Sequence, residues 1–170
     1  MPYPPQGLPS VCPHKGRIFL PAYGYVWDST TASKLTYKFN YSCHELTDGQ
    51  YGYSHYTFEI PQDWSSVSKL YFMWSSPSAG SIVADVGGDA AGDGEDLNGM
   101  EPGTTLAQVF VSAGTDKMNI DELTLVAASW SSLAPGDIIG LRFRRTGGSG
   151  TDTLNDVAHI YGLLVVYNYV

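Results

Sequence analysis

Between His55 and Asn98 apolar side chains recur at every second position, and that period of two restricts the chain more than any other feature. Tyr56, Phe58 and Ile60 alternate with polar residues, Pro61 to Trp64 turns the chain, and Leu70, Phe72 and Trp74 resume the alternation. A third run, Ile82 to Val86, ends at Gly87 and Gly88. The segment that follows, GDAAGDGEDLNG, has too many glycines and carboxylates for a core and is expected to be a loop.

Short alternating runs fill the rest of the chain. They are Arg17 to Leu20, Tyr23 to Trp27, Leu35 to Tyr41, Gly52 to Ile60, Leu106 to Ser112, Asn119 to Ala127 and Ile138 to Arg145. Asp48-Gly49 reads as a hairpin turn pair. Ala134 to Asp137 reads as the turn that launches the strand in which Ile139, Leu141 and Phe143 oppose Arg142 and Arg144. The last run, Val157 to Tyr169, is apolar on both faces, so it belongs in the middle of a sheet covered by a second sheet and by another subunit. One helical turn is allowed at Ser129 to Leu133, and no 20- to 50-residue repeat is visible. Eight or nine strands at this spacing predict an all-β fold, a jelly-roll β-sandwich of two antiparallel sheets. An immunoglobulin-like sandwich is second, because its Cys-Trp-Cys spacing is missing.

A length of 170 residues suits one core. Six of the ten prolines fall at positions 2, 4, 5, 9, 13 and 21 and should keep the first twenty or so residues out of continuous pairing. The expected division is therefore an extended arm over 1–22 and the sandwich over 23–170. Pro4, Pro5, Pro9 and Pro13 are candidate contacts along a neighbouring subunit. A net charge of -8 with nine basic residues argues against sequence-independent nucleic-acid binding. No apolar run is long enough for a membrane span, and MPYPPQGLPS lacks the regions of a signal peptide, which points to synthesis in a cytoplasm. Cys12 and Cys43 allow one bridge at most, and a reducing compartment favours two thiols.

The acidic segment is the first candidate site. Asp89, Asp93, Glu95 and Asp96 could supply oxygens to a hard cation, although their spacing does not fit a calcium loop, and no metal or other cofactor is expected. Two acids on one loop seldom hold the separation that glycoside hydrolysis needs, and the nucleophile elbow, HExxH and Walker motifs are absent, so no enzyme is expected. His159 reads as a packed residue. Trp64 and Trp130 are the tryptophans that could be exposed to stack on sugar, whereas Trp74 reads as core. Arg142, Arg144 and Arg145 face the acidic pair Asp152 and Asp156, a pattern that suits cross-strand or inter-subunit ion pairs.

In order, the segments FEIPQDW, MWSS, GDAAGDGEDLN, APGDIIGLRFRR and TDTLNDVAHIYGLLVVY resemble a group of structural proteins of tailed bacteriophages. The likeness covers about residues 53 to 169 and, more loosely, FLPAYGYV at 19 to 26. Glu95 stands where that group's loop often has Asp, and the N-terminal arm is longer. The resemblance implies a capsid decoration or cement protein: a homotrimer on the outer capsid surface, bound to the major capsid protein and stabilising the head. The alternative is a tail- or head-fibre module that binds a host receptor or surface glycan.

Overall fold

The computed structural model describes residues 14–22, 33–38, 40–95, 105–126, 130 and 133–170. Among them are ten strands: β1 (His14–Pro21), β2 (Ser33–Lys38), β3 (Tyr41–Leu46), β4 (Tyr51–Glu59), β5 (Trp64–Ser75), β6 (Ser81–Ala91), β7 (Gln108–Val111), β8 (Asn119–Leu123), β9 (Ile138–Thr146) and β10 (Ala158–Tyr169). They form two antiparallel sheets. One has the order β2-β3-β10-β5-β8 with β1 also on β10, and the other is β4-β9-β6-β7. This is the expected jelly-roll β-sandwich, and no described helix is long and apolar enough to cross a membrane.

The alternation read from the sequence becomes the core. Leu70, Phe72 and Trp74 of β5 face Val86, Phe110, Leu141 and Phe143 of the smaller sheet, and Phe72 meets Phe110 edge-on at 4.8 Å between ring centroids. The apolar last strand sits centrally, with β1 and β3 on one side and β5 on the other. A register shift between Ile160 and Gly162 resets its parity. Ile160 therefore shares the core with Leu163 and Val165, while Tyr161 hydrogen-bonds Ser75 at 2.7 Å.

Four sequence expectations change. The span 14–21 does not belong to an unpaired arm: all eight positions of β1 pair with β10 from His14↔Tyr169 to Pro21↔Gly162. Prolines bracket the segment HKGRIFL but none interrupts it, so its ladder is intact. Residues 1–13, with Pro4, Pro5, Pro9, Pro13 and Cys12, lie outside the described residues, as do Tyr23 to Trp27. The run Leu35 to Tyr41 is two strands, because Asn40 takes a left-handed conformation (φ 69°) and folds β2 onto β3 with Lys38 opposite Tyr41. The Asp48-Gly49 turn joins β3 to β4, which lie in different sheets, so it is a crossing between layers and not a hairpin. Finally, β6 runs through both glycines to Ala91, paired with β9 as far as Ala91↔Ile138. Among the described residues of the acidic segment, the turn comes after Ala91, where the Glu95 amide donates to the Gly92 carbonyl at 3.3 Å.

Candidate functional site

On the outer face of the smaller sheet the register sets side chains of three strands in rows. His55, Arg142 and Gly87 make one row, and Thr57, Gly140 and Asp89 the next. Glycine at two of these six positions removes side-chain bulk from the middle of the face. A groove of about 260 Å³ results, lined by His55, Thr57, Asp89, Gly140, Arg142 and neighbouring backbone. A Cβ added at Gly140 would meet nothing within 4 Å, so the space above it is open.

The groove has a polarised lining. Arg142 lies over the Tyr53 ring at 5.3 Å, and Tyr53 lies 6.4 Å from His55, so one face of β4 carries Tyr51, Tyr53 and His55 in succession. Tyr51 is 51% exposed. Solvent reaches His55, yet the atoms crowded round its ring, and after them the Arg142 charge, hold its pKa below the ordinary histidine value. The Arg142 Nε is buried with no acceptor, and Arg142 takes part in none of the ion pairs among the described residues. Asp85 is fully engaged: Arg144 donates to it from Nε, at 3.0 and 3.2 Å, and from Nη2. That pairing raises the Arg144 pKa further. Asp89 accepts from the Ala90 amide at 2.7 Å and lines the far end of the groove.

The three arginines named from the sequence have separate fates. Arg142 faces the groove and Arg144 binds Asp85, across the strand pair and not in the later acidic run. Arg145 points inward and is fully buried. It donates to Asp152 from Nε (3.0 Å) and Nη2 (2.8 Å), and to the carbonyls of Leu46, Leu154 and Asp156. The side chains of Arg145 and Asp152 are both 0% exposed, so this pair is satisfied within the chain and is closed to any neighbour. Asp156 contributes its carbonyl to Arg145, and its carboxylate accepts from the Val157 amide.

Among the described residues no three His, Cys, Asp or Glu side chains gather in a metal-binding group. Asp89 and Glu95 each accept backbone amides, Asp93 sits in the closing turn, and Asp96 lies outside the described residues. The three described tryptophans, Trp64, Trp74 and Trp130, do not form a platform. Trp64 is 5% exposed and stacks on Tyr167 at 5.1 Å, Trp130 is buried, and Trp74 is core as expected, donating Nε1–H to Asp121 at 2.7 Å. The aromatic surface is made of tyrosine instead. Its sequence signal was the second face of the run Tyr51 to Glu59, where Tyr51, Tyr53 and His55 alternate with the buried Ser54 and Tyr56. Cys43 is a buried free thiol, pushed up to about 11 by burial and then by Glu45.

No protein-family model matches the sequence, and no curated protein matches it. Solved structures do match in fold. A family 29 carbohydrate-binding module from Piromyces equi is 13% identical over 91% of this chain and 91% of its own, with a TM-score of 0.47. A CBM36-1 domain of a multidomain xylanase from the hindgut metagenome of Trinervitermes trinervoides is 10% identical over 88% of this chain and 96% of its own, with a TM-score of 0.44. An isomalto-dextranase of Arthrobacter globiformis T6, complexed with panose, matches at 11% identity and a TM-score of 0.52 over 89% of this chain and 23% of its own. At such identities the likeness is one of fold, a β-sandwich.

Proposed function

We propose that the protein is a non-catalytic glycan-binding module and that the groove across β4, β9 and β6 holds the sugar. The observation that carries this reading is the open, glycine-floored groove bordered by tyrosines and by charged hydrogen-bonding groups. A pyranose has apolar C–H faces that pack on aromatic rings and an equator of hydroxyls that need donors and acceptors. Tyr53, beside His55 at the groove's edge, and the exposed Tyr51 beyond it each carry an arginine over one face and offer the other, while Arg142, Asp89, Thr57 and His55 offer the polar partners. Glycine lets the ligand lie against the strands themselves. A groove of this size, open along the sheet, suits a short segment of a chain better than an enclosed small molecule.

The cement role implied by the phage resemblance calls for a homotrimer, a major capsid protein as partner and a place on the virion. Its proposed arm contacts lie outside the described residues, and two of its candidate ion-pair residues, Arg145 and Asp152, are consumed internally.

Affinity electrophoresis through gels containing a panel of soluble polysaccharides tests the glycan reading. Retardation by at least one of them is expected. It should be lost in Gly140→Val, whose Cβ would meet nothing within 4 Å, and weakened by about tenfold in Tyr51→Ala. Retardation unchanged in Gly140→Val, in a variant that keeps its far-ultraviolet spectrum, overturns the placement in the groove.

A further inference from the structure

We propose that the sugar taken by this groove is an acidic one, a hexuronate whose carboxylate is received by Arg142. The inference rests on the glycan reading above and adds the charge of the ligand to it.

Arginine is always charged at physiological pH and carries donors on a planar fork. The two arginines that follow Arg142 on β9 have that demand met: Arg144 by the Asp85 carboxylate, and Arg145 by the Asp152 carboxylate and three carbonyls. Arg142 stands beside them with neither. Its Nε is shut away from water without an acceptor, and its one close partner is the face of Tyr53, which attracts the charge but accepts no N–H bond in the plane of the fork. The Nε is closed to a ligand as it is to water, but the terminal nitrogens are not sealed with it, and a carboxylate that meets them in the groove makes charge-assisted bonds stronger than those to a neutral acceptor.

The surroundings keep that positive charge from cancellation. Asp85, one row from Arg142 on β6, is already bound by Arg144, and His55 opposite Arg142 is inclined to stay neutral. Asp89 is one row away, opposite Gly140, with its Oδ1 on the Ala90 amide. The groove therefore has a cationic end and an anionic end separated by the open floor at Gly140. A neutral sugar would use the acid, by giving hydroxyl hydrogens to Asp89, and leave the guanidinium's charge unanswered. A hexuronate uses both, with hydroxyls toward Asp89 and a planar carboxylate against the fork of Arg142. The binding is thus specific for a local arrangement even though the whole chain carries a net charge of -8 and would repel a polyanion at long range.

Isothermal titration calorimetry with tetragalacturonate and tetramannuronate, each beside its methyl ester, tests this, with neutral mannan and dextran oligomers and a sulfated dextran oligomer as further arms. One free acid should bind about tenfold tighter than its ester, which has the same rings without the charge. Arg142→Gln, with its folded spectrum and melting temperature checked, should erase that difference, so that acid and ester bind the variant alike. An ester or neutral oligomer bound as tightly as every acid overturns the inference while the glycan reading stands. A sulfated oligomer bound more tightly than any uronate overturns the carboxylate assignment. An acid preference that survives Arg142→Gln also overturns it, and places the charge recognition elsewhere, with Lys15, Arg17 and Lys69 on the opposite sheet face the residues to examine next. Silence from every sugar in the panel overturns the glycan reading and this inference with it.

Discussion

Arg145 shows what a single inward-facing cation does in this sandwich. Its five N–H groups meet six acceptor atoms, two oxygens of Asp152, one of Asp48 at 3.4 Å and the carbonyls of Leu46, Leu154 and Asp156, so that Nη2 shares a hydrogen between two of its three. They tie the crossing between β3 and β4 to the loop before β10, two segments that no strand ladder joins. Asp152→Asn keeps the shape but leaves the buried charge opposed only by the partly exposed Asp48 carboxylate at 3.4 Å, and removal of one partner from a buried pair costs about 3–5 kcal/mol. Chemical denaturation should show a loss of that order, with binding in the groove unaffected at temperatures where the variant stays folded. His159 is a second residue with a measurable consequence. It is 5% exposed, its Nδ1 lacks a partner, and burial first, with the Lys38 charge next, lowers its pKa despite Glu45, Asp116 and Asp156 nearby. With the folded value below the unfolded one of about 6.5, the unfolded chain takes up the proton first as the pH falls. The stabilisation from neutral His159 is therefore complete above that pH and is lost as the pH drops toward the folded value. The urea midpoint should fall between pH 7 and pH 5, and His159→Gln should make that fall shallower. An unchanged slope in the variant would assign the acid sensitivity to other groups.

At the scale of elements, the seam between β1 and β10 depends on two glycines. A Cβ on Gly162 would sit inside the radius of the Leu20 carbonyl oxygen, and a Cβ on Gly16 would penetrate the Tyr167 ring that lies across β1. Gly162→Ala should loosen this one pairing, and hydrogen exchange should speed up selectively at β1 amides while those of β5 keep their protection. Uniformly faster exchange would mean that the seam is not a separable unit. The same elements show what was legible in the sequence. β4, β5, β9 and β10 were readable because each alternates or is apolar on both faces over nine to twelve residues, long enough for the period to stand out. The β2–β3 hairpin was not, because its turn depends on Asn40 in a left-handed conformation and not on a glycine pair. The end of β6 was hidden by composition: Gly87 to Ala91 looks like a loop, but small residues there are what opens the groove on the outer face. The site shared that obscurity. Arg142 was visible as an outward arginine, but its lack of a partner depends on Asp85 choosing Arg144, which is a fact of cross-strand register and not of sequence spacing.

For the whole molecule, the pairing of β1 with β10 closes the larger sheet between sequence positions 14–21 and 162–169. β10 would otherwise present a bare backbone edge along most of its length, since β3 covers only Ala158 to Ile160 on that side. β1 also brings Leu20 into the core and packs Ile18 against it, and complete burial of one such side chain is worth about 1.5–3 kcal/mol. Against a total of about 5–15 kcal/mol for a domain, that loss together with eight unpaired ladder positions is a large fraction of the stability. The arm expected from the sequence could be cut away with the fold intact; β1 cannot. A chain starting at residue 22 should melt well below one starting at residue 14 and, with an exposed strand edge, should aggregate on concentration. Comparing those two lengths isolates β1 from whatever residues 1–13 contribute. Equal melting temperatures and equal solubility would mean that β10 is held by β5 and β3 alone, and that the six-stranded sheet does not need its first strand.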